Sequence, residues 1–177
     1  LTARLELPAG RTADLGIGTR HYDLLEGAPY MSYVVGGGTM TLLSGSTLTG
    51  GNLSASIVYF MGATQSAGLV TAAHFRSPWN GGGYTLTGTG IVQADSTWIG
   101  VGSMNQTGGS HTTGTLSVES QYNLSAGTLQ ADYVYIADSG TAAAFNFTGG
   151  AFTVNHRLML GLGGSSSTVG TLTQTGG

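Results

Sequence analysis

Apolar side chains between residues 122 and 136 come in alternating pairs: Tyr122 and Leu124, Leu129 and Ala131, Val134 and Ile136. A period of two marks β-strands with one buried face, and Ala126, Gly127 and Asp132 fall between the pairs, where turns are expected. The next stretch repeats the arrangement as Phe145/Phe147, Phe152/Val154 and Leu158/Leu160, and an earlier one gives Leu48, Leu53/Ala55 and Val58/Phe60. The letters recur as well. YNLSAGTLQAD at 122–132 aligns position by position with FNFTGGAFTVN at 145–155, and further copies open at 46, 84, 104 and 172. Starts at 84, 104, 122, 145 and 172 are 20, 18, 23 and 27 residues apart, so the basic unit is about 19 residues with variable loops. Three short strands per unit, with like residues in like places, describe one turn of an all-β parallel β-helix, or β-solenoid. Each turn would hydrogen-bond to the next at about 4.8 Å, and six or seven turns would make a rod about 30 Å long. A β-sandwich also needs many short strands, but it has no reason to repeat its sequence at each turn. Right-handed winding is expected, because the strict six-residue rhythm of left-handed β-helices is missing.

Composition narrows the function more than the fold. Only 7% of residues are charged, Lys is absent, and the net charge is −3. A nucleic-acid partner is therefore not expected, since phosphate binding needs a basic surface. No apolar run approaches the roughly 20 residues of a membrane-spanning helix. With 32 Gly among 177 residues the chain could suggest disorder, but 40% of it is hydrophobic and regularly placed. Zero Cys removes disulfides and thiolate metal sites.

Charge is distributed unevenly. Arg4, Glu6, Arg11, Asp14, Arg20, Asp23 and Glu26 lie in the first 30 residues and make up 7 of the 13 formal charges. Residues 1–38 are thus expected to form a charged N-terminal cap or docking segment, and 39–177 the solenoid repeats. Leu1, Ala3, Leu5 and Leu7 alternate with polar residues, as a docking strand would. At the other end LTQTGG at 172–177 breaks off inside a repeat. Either the solenoid continues in a longer chain, or another copy completes the turn. The second case makes Leu172 and Gln174 docking residues in a head-to-tail contact, which propagates into a fibre.

Candidate sites follow from the stacking. Tyr84, Met104, Tyr122, Phe145, Phe147 and Phe152 should form the stacked core. Asn105, Asn123 and Asn146 each follow the first inward residue of their unit and should form an amide ladder. The outward residue of the third strand is Tyr59, Trp98, Ser117, Tyr135 and Met159 in successive units, giving an aromatic stripe of Tyr59, Trp98 and Tyr135 suited to a neighbouring fibre or to sugar rings. Asp95, Asp132 and Asn155 share a turn position where side chains bond their own backbone. Gln106 and His111 should both point inward, with His111 neutral and bonded to a neighbour such as Gln106. Residues 74–83 depart from the repeat and read as a side loop carrying Arg76 and Trp79. His21, His74 and His156 are too scattered to form a metal set. No catalytic constellation, cofactor site or metal site is expected.

FNFTGGAFTV at 145–154 and YNLSAGTL at 122–129 resemble the Gly/Thr-rich repeats of bacterial secreted β-solenoid proteins, such as autotransporter passengers and PEP-CTERM-type surface proteins. The resemblance covers roughly residues 40–177, implies an extracellular or cell-surface location, and carries over no catalytic residue. The expectation is a non-enzymatic structural protein that assembles with copies of itself, head to tail, into a filament or surface matrix. The alternatives are an adhesin that binds extracellular glycans and, with less support from so few charges, a polysaccharide-degrading β-helix.

Overall fold

The computed structural model describes residues 38–42, 44–77, 79, 81–139, 142–161 and 169–176, together with the backbone of Ala13–Asp14, His21–Leu24 and Tyr33–Val34. Strand pairing among them is parallel throughout. The chain is a β-solenoid. Its successive rungs are Thr47–Phe60, Ala63–Arg76, Gly83–Leu86 with Ile91–Ile99, Ser103–Val118, Gln121–Ile136, and Ala143–Phe147 with Ala151–Leu160; Gly170–Gln174 begins another. Each rung has three faces. In the Gln121–Ile136 rung the register shifts between Leu124 and Thr128 mark the first corner, and the shift between Ala131 and Tyr133 marks the second.

Each face contributes two inward residues, so alternation in sequence becomes a column in space. Tyr84, Met104, Tyr122 and Phe145 are successive partners on the first face, all fully buried. The third face stacks Met40/Leu42, Val58/Phe60, Leu116/Val118 and Val134/Ile136, none more than 1% exposed. Parallel stacking satisfies backbone donors and acceptors between rungs, and it places like side chains on like neighbours. The ladder also includes backbone from within 1–38. His21–Leu24 pairs with Thr39–Leu42 on the third face, and Ala13–Asp14 with Tyr33–Val34 on the second. The side chains of that segment, including Leu1, Ala3, Leu5 and Leu7, lie outside the described residues.

Glycine is required where the first face turns into the second. Gly109 and Gly127 stack there with φ of 66° and 86°. A Cβ on Gly127 would collide with the carbonyl oxygen of Gly109, so both the backbone conformation and the close approach exclude a side chain.

The structure differs from the sequence reading at 74–83. His74, Phe75 and Arg76 belong to the strand Ala63–Arg76, and the Phe75 ring is fully buried, 4.8 Å from Phe60 and 5.0 Å from Tyr84. The inward pair of this rung is Phe75 and Ser77. The serine hides the apolar alternation, yet it is satisfied inside: its Oγ accepts from the Gly100 and Val101 amides at 2.8 and 3.2 Å.

Candidate functional site

The side chains that could carry chemistry are mostly engaged in joining one rung to the next. On the outer side of the first face, Asn123 Nδ2 donates to Asn105 Oδ1 at 2.7 Å and Asn146 Nδ2 donates to Asn123 Oδ1 at 2.8 Å. Asn105, Asn123 and Asn146 therefore form one chain of amides running parallel to the axis. Thr173 occupies the next position, beside Asn146.

Inside the first face a polar motif occurs twice, two rungs apart. The inward column reads Leu48, Gln65, Leu86, Gln106, Leu124, Phe147 and Gln174. Gln65 Nε2 donates to the carbonyls of Gly68 and Ile91 at 2.9 and 3.1 Å, and Tyr84 of the next rung donates its hydroxyl to Gln65 Oε1 at 2.6 Å. Gln106 repeats this geometry. Its Nε2 donates to Thr128 O at 2.8 Å, and Tyr122 of the next rung donates to its Oε1 at 2.6 Å. Both glutamines and both tyrosines are fully buried, so each bond replaces one that water would have made. Burial raises both phenol pKa values far above the usual range, which keeps these hydroxyls as donors. Gln65 was not legible as a core residue because its strand, Ala63-Thr64-Gln65, lies in the degenerate unit between 46 and 84.

His111 extends the second motif. Its Nδ1 lies 3.0 Å from the Tyr122 hydroxyl and its Nε2 lies 2.9 Å from Thr97 Oγ1. Tyr122 thus stands between His111 and Gln106, rather than the two bonding directly. The tautomer follows from the donors. Gln106 directs its Nε2 at a carbonyl, so its Oε1 must accept the Tyr122 proton, and the Tyr122 oxygen then accepts from Nδ1–H; Thr97 Oγ1, which faces Nε2, donates to Thr113 Oγ1 at 3.2 Å. Burial lowers the His111 pKa from 6.5 to about 3, so the ring is neutral near pH 7. Fully buried between these two hydroxyls, the ring is out of reach of a substrate.

The outer side of the third face holds the stripe. Thr41, Tyr59, Arg76, Trp98, Ser117, Tyr135 and Met159 follow one another in register. Arg76, which the sequence places in a loop, therefore separates Tyr59 from Trp98. The Trp98 ring folds back over Gly100 and fills the space a Cβ would need there. Trp79 stands 83% exposed with its ring 5.0 Å from Trp98, edge to face. Farther along, buried Glu119 fixes the following bend by accepting from the Asp138 and Ser139 amides at 3.2 and 3.1 Å.

At the second corner Asp132 accepts from Asn155 Nδ2 at 2.7 Å, a bond between rungs rather than to its own backbone. His156 Nδ1 is 3.8 Å from the same oxygen, and the His156 ring stacks on Tyr133 at 5.2 Å. No group of three or more His, Asp or Glu able to hold a metal occurs among the described residues. Among those residues, too, no helix is long and apolar enough to cross a membrane.

The last rungs are more open. Phe145 pairs with Leu172 and Phe147 with Gln174. Phe152 and Leu172 are half-buried and Gln174 is exposed; Leu158 and Leu160 are 37% and 47% exposed, against 0% and 1% for their partners Val134 and Ile136 one rung earlier. Comparison with known proteins finds no matching family model, no matching curated protein and no matching solved structure.

Proposed function

We propose that this chain is a non-enzymatic structural solenoid whose copies join head to tail into an extracellular filament or surface matrix. The observation that carries the reading is the apolar edge at Leu158 and Leu160. A further rung of the same kind laid over that edge would bury both leucines as Val134 and Ile136 are buried, and would extend the backbone ladder. Two features suit a further rung there, which in this reading a second copy supplies. The Gln column places Gln174 where Gln65 and Gln106 each receive a tyrosine hydroxyl from the next rung. Low charge leaves little repulsion to oppose axial contact. The extracellular placement rests on the resemblance of 122–129 and 145–154 to secreted solenoid repeats.

Negative-stain microscopy of the purified chain tests the reading. Threads many times longer than one rod are expected, and Leu158→Lys/Leu160→Lys should leave separate short rods, because two buried charges would have no partner in the junction. Isolated rods from the unaltered chain at high concentration would refute assembly.

A further inference from the structure

A groove of about 310 Å³ crosses the outer side of the second face and the corner after it, away from the columns used above. Its wall is a row in register: Thr71, Gln93, Thr112 and Gln130. Its rim is the corner, where Asp95 and Asp132 stand two rungs apart, about 10 Å. Gly114 lies in the rung between them and leaves the gap open; a Cβ there would sit 2.7 Å from Asp95 O.

The contrast with the first face gives the groove its meaning. There, outward amides bond one another from rung to rung. Here Asn155 bonds to Asp132 from one rung to the next, but the side chains of Gln93, Asp95, Thr112 and Gln130 have no hydrogen-bond partner among the described residues and keep their donors and acceptors for whatever enters. The lining is rich in amides, hydroxyls and carboxylates and holds no Lys or Arg. Such a surface repels phosphate, sulfate and uronate, while carboxylates make strong bonds to neutral hydroxyl donors. Gln alternates with Thr along the row, and the two Asp are likewise two rungs, about 10 Å, apart.

We propose that this groove binds an extended neutral polysaccharide lying along the solenoid axis, with successive sugars alternating in orientation to match the two-rung spacing. The site is separate from the exposed Trp79–Trp98 pair and does not depend on filament formation.

Calorimetric titration of the full chain with neutral oligosaccharides of increasing length tests this, alongside uronate oligosaccharides and an arginine-rich peptide. Neutral chains should bind more tightly with length until they span about 19 Å, the four rung spacings from Thr71 to Asn155. Their affinity should not change between low and high salt. Thr112→Trp, which fills the groove from an exposed position, and Gln93→Ala/Gln130→Ala should each weaken binding about tenfold or more. Trp79→Ala should leave it unchanged. The proposal is overturned if no neutral oligosaccharide binds, if only the uronates or the salt-sensitive peptide bind, or if Trp79→Ala abolishes binding while Thr112→Trp does not.

Discussion

Acid should destabilise this fold through His111. The ring is fully buried, and its pKa is held at about 3 against 6.5 in an unfolded chain. Between those values the unfolded state binds one proton more than the folded state. Stability is therefore fully present above pH 6.5 and falls as pH drops toward 3, by about 1.4 kcal/mol per unit. Going from pH 7 to 4.5 crosses about two units of that window and costs about 3 kcal/mol, a large share of a stability of roughly 5–15 kcal/mol. His111→Leu isolates the effect, since Val92 and Leu129 hold the same column on either side. The variant should lose about 1 kcal/mol at pH 7, from the bonds to Tyr122 and Thr97. It should then lose about 3 kcal/mol less than the unaltered chain on acidification. Urea denaturation of both proteins at pH 7, 6, 5 and 4.5, followed by far-ultraviolet circular dichroism, gives the two slopes; carboxylate titration is common to both and cancels. Equal slopes, or an NMR titration of His111 near 6.5 in the folded state, would refute the reasoning.

Other consequences can be checked by stability measurements. Tyr122→Phe strands Gln106 Oε1 in the core and should cost about 1–3 kcal/mol, and combining it with Gln106→Leu should cost less than the sum of the single changes. Gly127→Ala should cost more than the ~1 kcal/mol of an ordinary glycine substitution, because φ is 86° and the new Cβ would meet the Gly109 carbonyl; a neutral effect would contradict the corner geometry. Asn123→Ala removes two inter-rung amide bonds and should lower stability by about 1–2 kcal/mol, whereas a loss no larger than that of an isolated surface site would show the ladder to be idle.

The rungs were legible because pairs such as Tyr122/Leu124 and Phe145/Phe147 are apolar on both inward positions, and because the strings around them repeat. Where an inward position is polar the signal fails. Ser77 concealed the strand that buries Phe75, and with it the place of Arg76 in the stripe. Gln65 and Tyr84 are 19 residues apart, and nothing local joins them until the register brings rung onto rung. The groove was invisible for the same reason. Gln93, Thr112 and Gln130 look like ordinary outward residues of three separate strands, and only parallel stacking makes a row of them.

The central claim is that the same rung-on-rung stacking continues from one copy to the next, and X-ray fibre diffraction from aligned threads tests it most directly. A reflection at about 4.8 Å along the thread axis is expected, since the backbone ladder would run the length of the filament. A reflection at about 4.8 Å across the axis would show that the rods associate side by side, and the end-to-end account would be wrong.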